Sequence, residues 1–317
     1  MKAARLLKPH VFELVSVPDP VPREDEVIIR VIACGVCRGD FNKWNGISDQ
    51  YPREPGSSGH EVYGTIEELG SKVENLKIGD TVSSIRFPGK GFAELALATA
   101  KHVSRVPGEL KNDVILGEPL ACAVNAIGRA KIKPGDSVLI VGIGFMGALA
   151  LKLLTISGAA PLIAVDISEF SRDLARRIGA DFVFDPQDTR SIDKIKKLVG
   201  ADGLNCVVEA TGTQEALDYC TEAVSVRGTL VIYGYHVDNR RSINMQLWNW
   251  KGIDVVNAHE RDQDNYFRGM LKAFNLLKYN KLTFDLITHE FDLDAINDCF
   301  QFIRKRPPGY IKAVIKP

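Results

Sequence analysis

Neither sign of charge is in excess in this chain: its 317 residues hold 40 Lys and Arg against 40 Asp and Glu, for a formal net charge of zero. Without a basic surplus there is no electrostatic footprint for nucleic acid or an anionic bilayer, so a small neutral or mixed-charge ligand is the expected partner. No run of about 18 uncharged apolar residues occurs, and the opening MKAARLLKPHVFELV has no apolar leader core. A soluble cytoplasmic protein with no membrane partner is therefore expected. Cysteine is thin: 6 residues, at 34, 37, 122, 206, 220 and 299. They are too dispersed for the disulfide framework of a small secreted domain, and reduced thiols are expected, some packed and some working. Internal repeats and low-complexity linkers are also missing.

What is present is enough apolar material, 45% of residues, for more than one core. Two textures divide the chain. From Glu26 to about Val106, short β-rich runs (EVIIRVIACG, HEVYGTIEEL, GDTVSSI, GFAELALA) are punctuated by Gly and Pro, which predicts a β-barrel or folded sheet. From about Ala121, apolar runs of strand length (SVLIVG, LIAVD, CVVEATG, GTLVIYG) alternate with helical patterns, which predicts a parallel sheet covered on both faces. After IDVVNA comes an amphipathic helix through Phe267, Met270, Leu271, Phe274 and Leu277, and YIKAVIKP reads as a strand returning to the first domain.

The segment LIVGIGFMG places Gly142, Gly144 and Gly147 directly after a strand and before a helix, with Phe145 and Met146 between the last two. In that context G-x-G-x-x-G is a dinucleotide fingerprint: a tight turn, a close approach for pyrophosphate, and close packing of helix on strand, with the phosphates on the helix N-terminus. Asp166 ends the next strand, where a carboxylate binds the adenosine ribose and repels a 2′-phosphate, so NAD is expected over NADP. Arg172, Arg176 and Arg177 follow on the next helix, and one of them could instead meet such a phosphate.

In the first texture, CGVCRGD (residues 34–40) has the spacing of a zinc knuckle or a redox pair, or it supplies one ligand to a site completed elsewhere. A redox pair would want a helix after the motif, and none is legible; Cys34, in a strand-like run, reads as packing. Downstream come Gly59-His60-Glu61 and then Glu118 in LGEPLACAVNA. Cysteine, histidine and glutamate together suit zinc, and three protein ligands with an open position form a catalytic rather than a structural site. Cys122 could compete with Glu118 for the metal, but its alanine-rich helical surroundings point to packing.

With these motifs in hand, along with IEELGSKVENLKIGD, GFAEL and VVEATG, the chain resembles the zinc-dependent medium-chain alcohol and polyol dehydrogenases over essentially its full length. The resemblance implies an α/β protein: a GroES-like β-barrel catalytic domain over 1–125 and 257–317, and a doubly wound Rossmann domain over 126–256. It implies Cys37, His60 and Glu118 as zinc ligands, and Glu61 either coordinating or waiting beside the ion. Asp40 would orient the His60 ring, Arg38 would reach the cofactor pyrophosphate, and Thr211 would join the cofactor contacts. It further implies oxidation of a hydroxyl with hydride passing to the nicotinamide, and a homodimer or homotetramer built through the strand GIDVVNA.

Two departures stand out. No cysteine lies between Glu61 and Gly117, where many relatives carry a four-cysteine lobe, so one catalytic zinc and no structural zinc is expected. Gly39 stands where relatives commonly have a Ser or Thr that takes the alcohol proton, and Asn42 where some have a relay histidine. The proton is then expected to leave through water, assisted by Glu61, Glu118 or a substrate hydroxyl. The ligand set resembles the polyol branch, sorbitol dehydrogenases included. Pocket candidates are Lys43, Trp44, Arg86, Phe87, His259 and Glu260, with Arg261 beside them, for a polyol, sugar alcohol, cyclitol or aminocyclitol. A simple alcohol dehydrogenase, a zinc-free enone or quinone reductase and a non-catalytic NAD-binding regulator are the alternatives.

Overall fold

The computed structural model describes residues 1–47, 50–85, 90–110, 113–200, 203–237 and 240–317. The chain forms two compact units, Met1–Ala121 with Asp262–Pro317, and Cys122–Arg261.

The first unit opens with a hairpin, β1 (Lys2–Lys8) and β2 (Val11–Ser16). Its main sheet is built from β3 (Glu26–Gly35), β4 (Glu61–Leu69), β5 (Thr81–Ile85), β6 (Leu95–Thr99) and β7 (Val103–Arg105). The antiparallel order β3-β4-β5-β7, with β6 on β3, follows from the alternating apolar positions of EVIIRVIACG and EVYGTIEEL, whose inward residues Val27, Ile29, Val31, Val62 and Ile66 are buried in one core. A seven-residue helix, α1 (Arg38–Trp44), follows β3, and α2 (Gly117–Ala130) carries the chain into the second unit.

In the second unit, strands and helices alternate as expected: β8 (Val138–Val141), α3 (Phe145–Thr155), β9 (Leu162–Val165), α4 (Glu169–Ile178), β10 (Phe182–Phe184), α5 (Ser191–Val199), β11 (Leu204–Glu209), α6 (Gln214–Ala223), β12 (Val224–Ile232), α7 (Met245–Lys251) and β13 (Asp254–Asn257). All pairings are parallel, in the order β10-β9-β8-β11-β12-β13. The winding direction reverses between β8 and β11, and the carboxyl ends of strands at such a switch point are where open α/β sheets bind ligands. Buried Leu139, Val141, Ile163, Val165, Val207 and Leu230 explain why these runs are continuously apolar rather than alternating.

The chain then re-enters the first unit with α8 (Gln263–Lys278), β14 (His289–Asp292), α9 (Ile296–Lys305) and β15 (Ala313–Lys316). The last strand pairs antiparallel with β3 and parallel with β14, so the YIKAVIKP segment does return to the first sheet. No described helix is long and apolar enough to cross a membrane.

Candidate metal and dinucleotide sites

A helix does follow the CGVC motif, contrary to the sequence expectation. It is short and begins at Arg38 with Cys37 as its cap: the Cys37 sulfur accepts the Gly39 N–H at 3.5 Å and the Asp40 carboxylate accepts the Cys37 N–H at 3.4 Å. These reciprocal bonds, rather than an apolar period, make the helix. Cys34 ends up fully buried on β3, so it cannot serve an exposed redox pair; burial raises its thiol pKa well above the usual value. Burial likewise pushes Cys206 and Cys299 up to about 12.

Beside that cap, single donor atoms of Cys37, His60 and Glu61 all lie within 4.8 Å of one another. Glu118, on the first turn of α2 and 5% exposed, is in electrostatic reach of His60. Ser83 fixes that turn, accepting the Gly117 N–H at 2.8 Å and donating to the Val62 carbonyl at 2.9 Å. Asp40 accepts the Gly59 N–H at 3.2 Å and stands 3.6 Å from Nδ1 of His60, which ties α1 to the GHE turn. Burial works against a charged His60 imidazole. The negative charges of Cys37 and Asp40, the Cys37 hydrogen bond and Glu118 outweigh it and raise the pKa well above the ordinary value. So concentrated an anionic field, around a sulfur, an imidazole and carboxylates, fits a zinc ion.

One partner here was not foreseen. Lys312, buried just before β15, brings Nζ within 2.7 Å of Glu61 Oε1 and 2.6 Å of Oε2, and donates to the Val36 carbonyl at 2.9 Å. Only Oε1 is aligned as a hydrogen-bond acceptor; Oε2, though nearer, meets the ammonium as an ion pair. Burial disfavours the Lys312 ammonium, but Glu61 and Cys37 outweigh it and its pKa is raised, so the lysine is held charged. A lysine amid the apolar residues of YIKAVI was the available signal.

The dinucleotide residues converge at the carboxyl ends of β8, β9 and β11. Gly142 has φ +97°, a conformation L side chains rarely adopt, and a Cβ there would stand 2.5 Å from the Thr211 methyl. A side chain at Gly147 would enter the Gly142 carbonyl, whereas a Cβ at Gly144 meets nothing within 4 Å, which leaves the backbone open to a pyrophosphate. Phe145 and Met146 start α3 at this turn, partly exposed. Asp166 accepts the N–H of Ile143 and of Ser168, each at 2.7 Å. This cradle fits a dinucleotide.

Thr211 is placed at the fingerprint turn, but its hydroxyl is committed internally, donating to Glu209 Oε1 at 2.6 Å and accepting the Thr213 N–H at 3.0 Å. Its backbone N–H is committed as well, to Glu209 Oε1 at 2.7 Å, so the methyl is the part of the side chain left to a cofactor. Glu209, fully buried at the end of β11, also accepts the Gly212 N–H at 2.8 Å and binds His236 Nε2 at 2.9 Å. Arg241 donates Nε–H to His236 Nδ1 at 2.8 Å and Nη2–H to the Gly212 carbonyl at 2.6 Å. This closed ring joins the turns after β11 and β12. The sequence showed it only as an acid inside an apolar strand.

The pocket candidates belong to both units. Trp44 is a correction: it is fully buried, packed against Phe41, Phe300 and His10, and belongs to the core of the first unit. Lys43, also on α1, is partly buried in that unit, and its carbonyl accepts the Tyr51 hydroxyl at 2.5 Å. His259 and Glu260 belong to the second unit, where burial lowers the His259 pKa and its Nε2 lies 3.3 Å from the Gly234 carbonyl. Arg86 and Phe87 lie outside the described residues. Arg38 is exposed, its guanidinium over the Phe41 ring at 5.2 Å.

A barrel-type sheet with a buried Cys–His–Glu cluster, and a doubly wound sheet with a dinucleotide cradle, together define a metal- and nucleotide-dependent oxidoreductase fold. Residues 23–108 match the alcohol dehydrogenase GroES-like domain and residues 146–275 the zinc-binding dehydrogenase family. The chain is 30% identical to D-arabinitol dehydrogenase 1 of Uromyces fabae over 354 residues, covering 100% of this chain and 97% of that protein. It is 29% identical to L-threonine 3-dehydrogenase of Pyrococcus abyssi over 336 residues, covering 96% and 95%. A zinc-binding dehydrogenase of Sinorhizobium meliloti, solved bound to NADP, superposes with a TM-score of 0.87 at 24% identity, over 100% of this chain and 99% of that one. The chain belongs to the zinc-binding medium-chain dehydrogenase family, as a zinc-containing alcohol or polyol dehydrogenase whose family cofactors are zinc and NAD(P).

Proposed function

We propose that this enzyme oxidises a secondary hydroxyl of a polyol, sugar alcohol, cyclitol or aminocyclitol to a ketone, using one zinc ion and NAD. The observation that carries the reading is the convergence of Cys37, His60 and Glu61, with Glu118 in electrostatic reach, in a chain that also holds the Gly142–Asp166 cradle. Bound there, zinc supplies Lewis acidity and the nicotinamide supplies the hydride acceptor.

The chain's own residues do the rest. Cys37, His60 and Glu118 hold the metal, and Asp40 keeps the first two in register through the backbone N–H groups it accepts. Glu61, both of whose oxygens lie against the Lys312 ammonium, is assigned to assist the substrate proton as it leaves through water. Glu118, water or a second substrate hydroxyl can assist. Arg38 is assigned to the cofactor pyrophosphate, and Lys43, His259 and Glu260 to substrate hydroxyls. No cysteine is available for a structural zinc between Glu61 and Gly117. Strand β13 ends its sheet with one described neighbour, β12, and presents Val255 exposed, which supports a homodimer or homotetramer through that edge. We place the protein in the cytoplasm.

The test is NADH formation at 340 nm across polyols, cyclitols and plain secondary alcohols, with and without added zinc. Zinc-dependent turnover that favours hydroxyl-rich substrates is expected; metal-independent reduction of enones alone would replace the reading. A second expectation concerns Gly39. A Cβ there would meet only Cys37 Sγ, at 3.9 Å, so a side chain fits. Gly39→Ser should fold with stability equal to the parent or about 0.5 kcal/mol higher. It should also raise kcat/KM for plain secondary alcohols more than for polyols, measured by steady-state kinetics beside a thermal melt.

A further inference from the structure

Which dinucleotide the cradle selects depends on charge around Asp166, and three arginines on α4 could reverse the answer. Their placement differs. Arg177 is exposed on the last turn of α4, and Arg176, exposed, pairs with Asp173 at 2.5 Å. Arg172 is the one beside the ribose carboxylate: its Nη1 donates to the carbonyl oxygens of Asp166 and Ile167, both at 2.9 Å. It is held there by Asp185, just beyond β10, whose Oδ2 lies 3.1 Å from the same nitrogen. The other oxygen of Asp185 accepts the Gln187 N–H at 2.9 Å, which aims Oδ2 at the guanidinium. The Arg172 and Asp185 side chains are 16% and 33% exposed, so solvent screens this pair only in part.

A 2′-phosphate on the ribose would need a cation that can turn toward it, since it arrives beside the Asp166 carboxylate. Among the described residues, Arg172 is the arginine rooted at that turn, and its Nη1 is already committed to two carbonyls and a carboxylate. We propose that Asp185 is a specificity-determining residue for the dinucleotide: by engaging Arg172 it withholds the cation that NADP requires, leaving Asp166 to select NAD. This rests on the reading of Asp166 as the ribose ligand. It makes the selection a property of two acids and one base, of which the fingerprint shows only the first acid.

The test compares dissociation constants for NADH and NADPH, by nicotinamide fluorescence titration of the zinc-loaded protein, in the parent, Asp166→Ser, Asp166→Ser/Asp185→Asn and the latter with Arg172→Ala. The parent should bind NADH at least about a hundredfold more tightly than NADPH, and Asp166→Ser should narrow that ratio. Adding Asp185→Asn should tighten NADPH by a further factor of about ten, the worth of one charge-assisted contact. Arg172→Ala should abolish that gain. Equal NADPH affinity in Asp166→Ser and Asp166→Ser/Asp185→Asn, with NADH still bound and melting temperatures preserved, would overturn the role of Asp185 while leaving the Asp166 reading intact. A parent that prefers NADPH, or binds neither, would remove both. Asp185→Ser repeats the comparison should the amide variant not fold.

Discussion

Cys37→Ser is expected to lose its zinc and its activity together while keeping its fold. The thiolate is the softest donor in the cluster, and an alcohol at that position is a poor ligand, so metal content should fall from about one ion per chain to near zero. With the Lewis acid gone, several kcal/mol of transition-state stabilisation go with it, and kcat/KM should fall by at least about a thousandfold. Elemental analysis after gel filtration, set beside NADH formation and far-UV circular dichroism, reads all three properties. Cys122→Ser is the control: that thiol lies on α2, one turn beyond Glu118, and its removal should leave the zinc content unchanged. A Cys37→Ser protein with full zinc and full turnover would show that the cluster is not the catalytic site.

Lys312→Met should be the most destabilising single change near the site. Lys312 and Glu61 are 3% and 2% exposed, and removing the cation strands a buried carboxylate. Breaking such a pair from one side costs about 3–5 kcal/mol, whereas replacing both partners is far milder. The double variant Lys312→Met/Glu61→Gln should therefore recover most of the loss. Urea unfolding with a chelator present, in a Trp248→Phe/Trp250→Phe background, makes Trp44 the sole tryptophan reporter of the first unit. If the double variant is no more stable than Lys312→Met, the ion pair is not what the lysine provides.

The parts of this molecule that could be read from sequence are those whose partners are close along the chain. The GHE turn brings its histidine and glutamate as neighbours, the glycine fingerprint lies within one strand–turn–helix, and alternation of strands with helices dictates the winding of the second sheet. What escaped notice is held from afar. Lys312 meets Glu61 only because β15 pairs with β3, and Asp185 meets Arg172 only because β10 lies beside β9. Trp44 reads as a pocket residue for the same reason: it ends a helix too short to show a period, and the rings that bury it include Phe300, on α9. Helix α1 itself was invisible because its stability comes from a cysteine and an aspartate acting as caps.

The pairing of β15 with β3 also sets an order of events during synthesis. The second unit is continuous in the chain and is translated in full before residue 312 is made, whereas the first unit waits for its sheet to be joined from the far side of that insertion. Until then Glu61 lacks the cation that it meets in the finished fold.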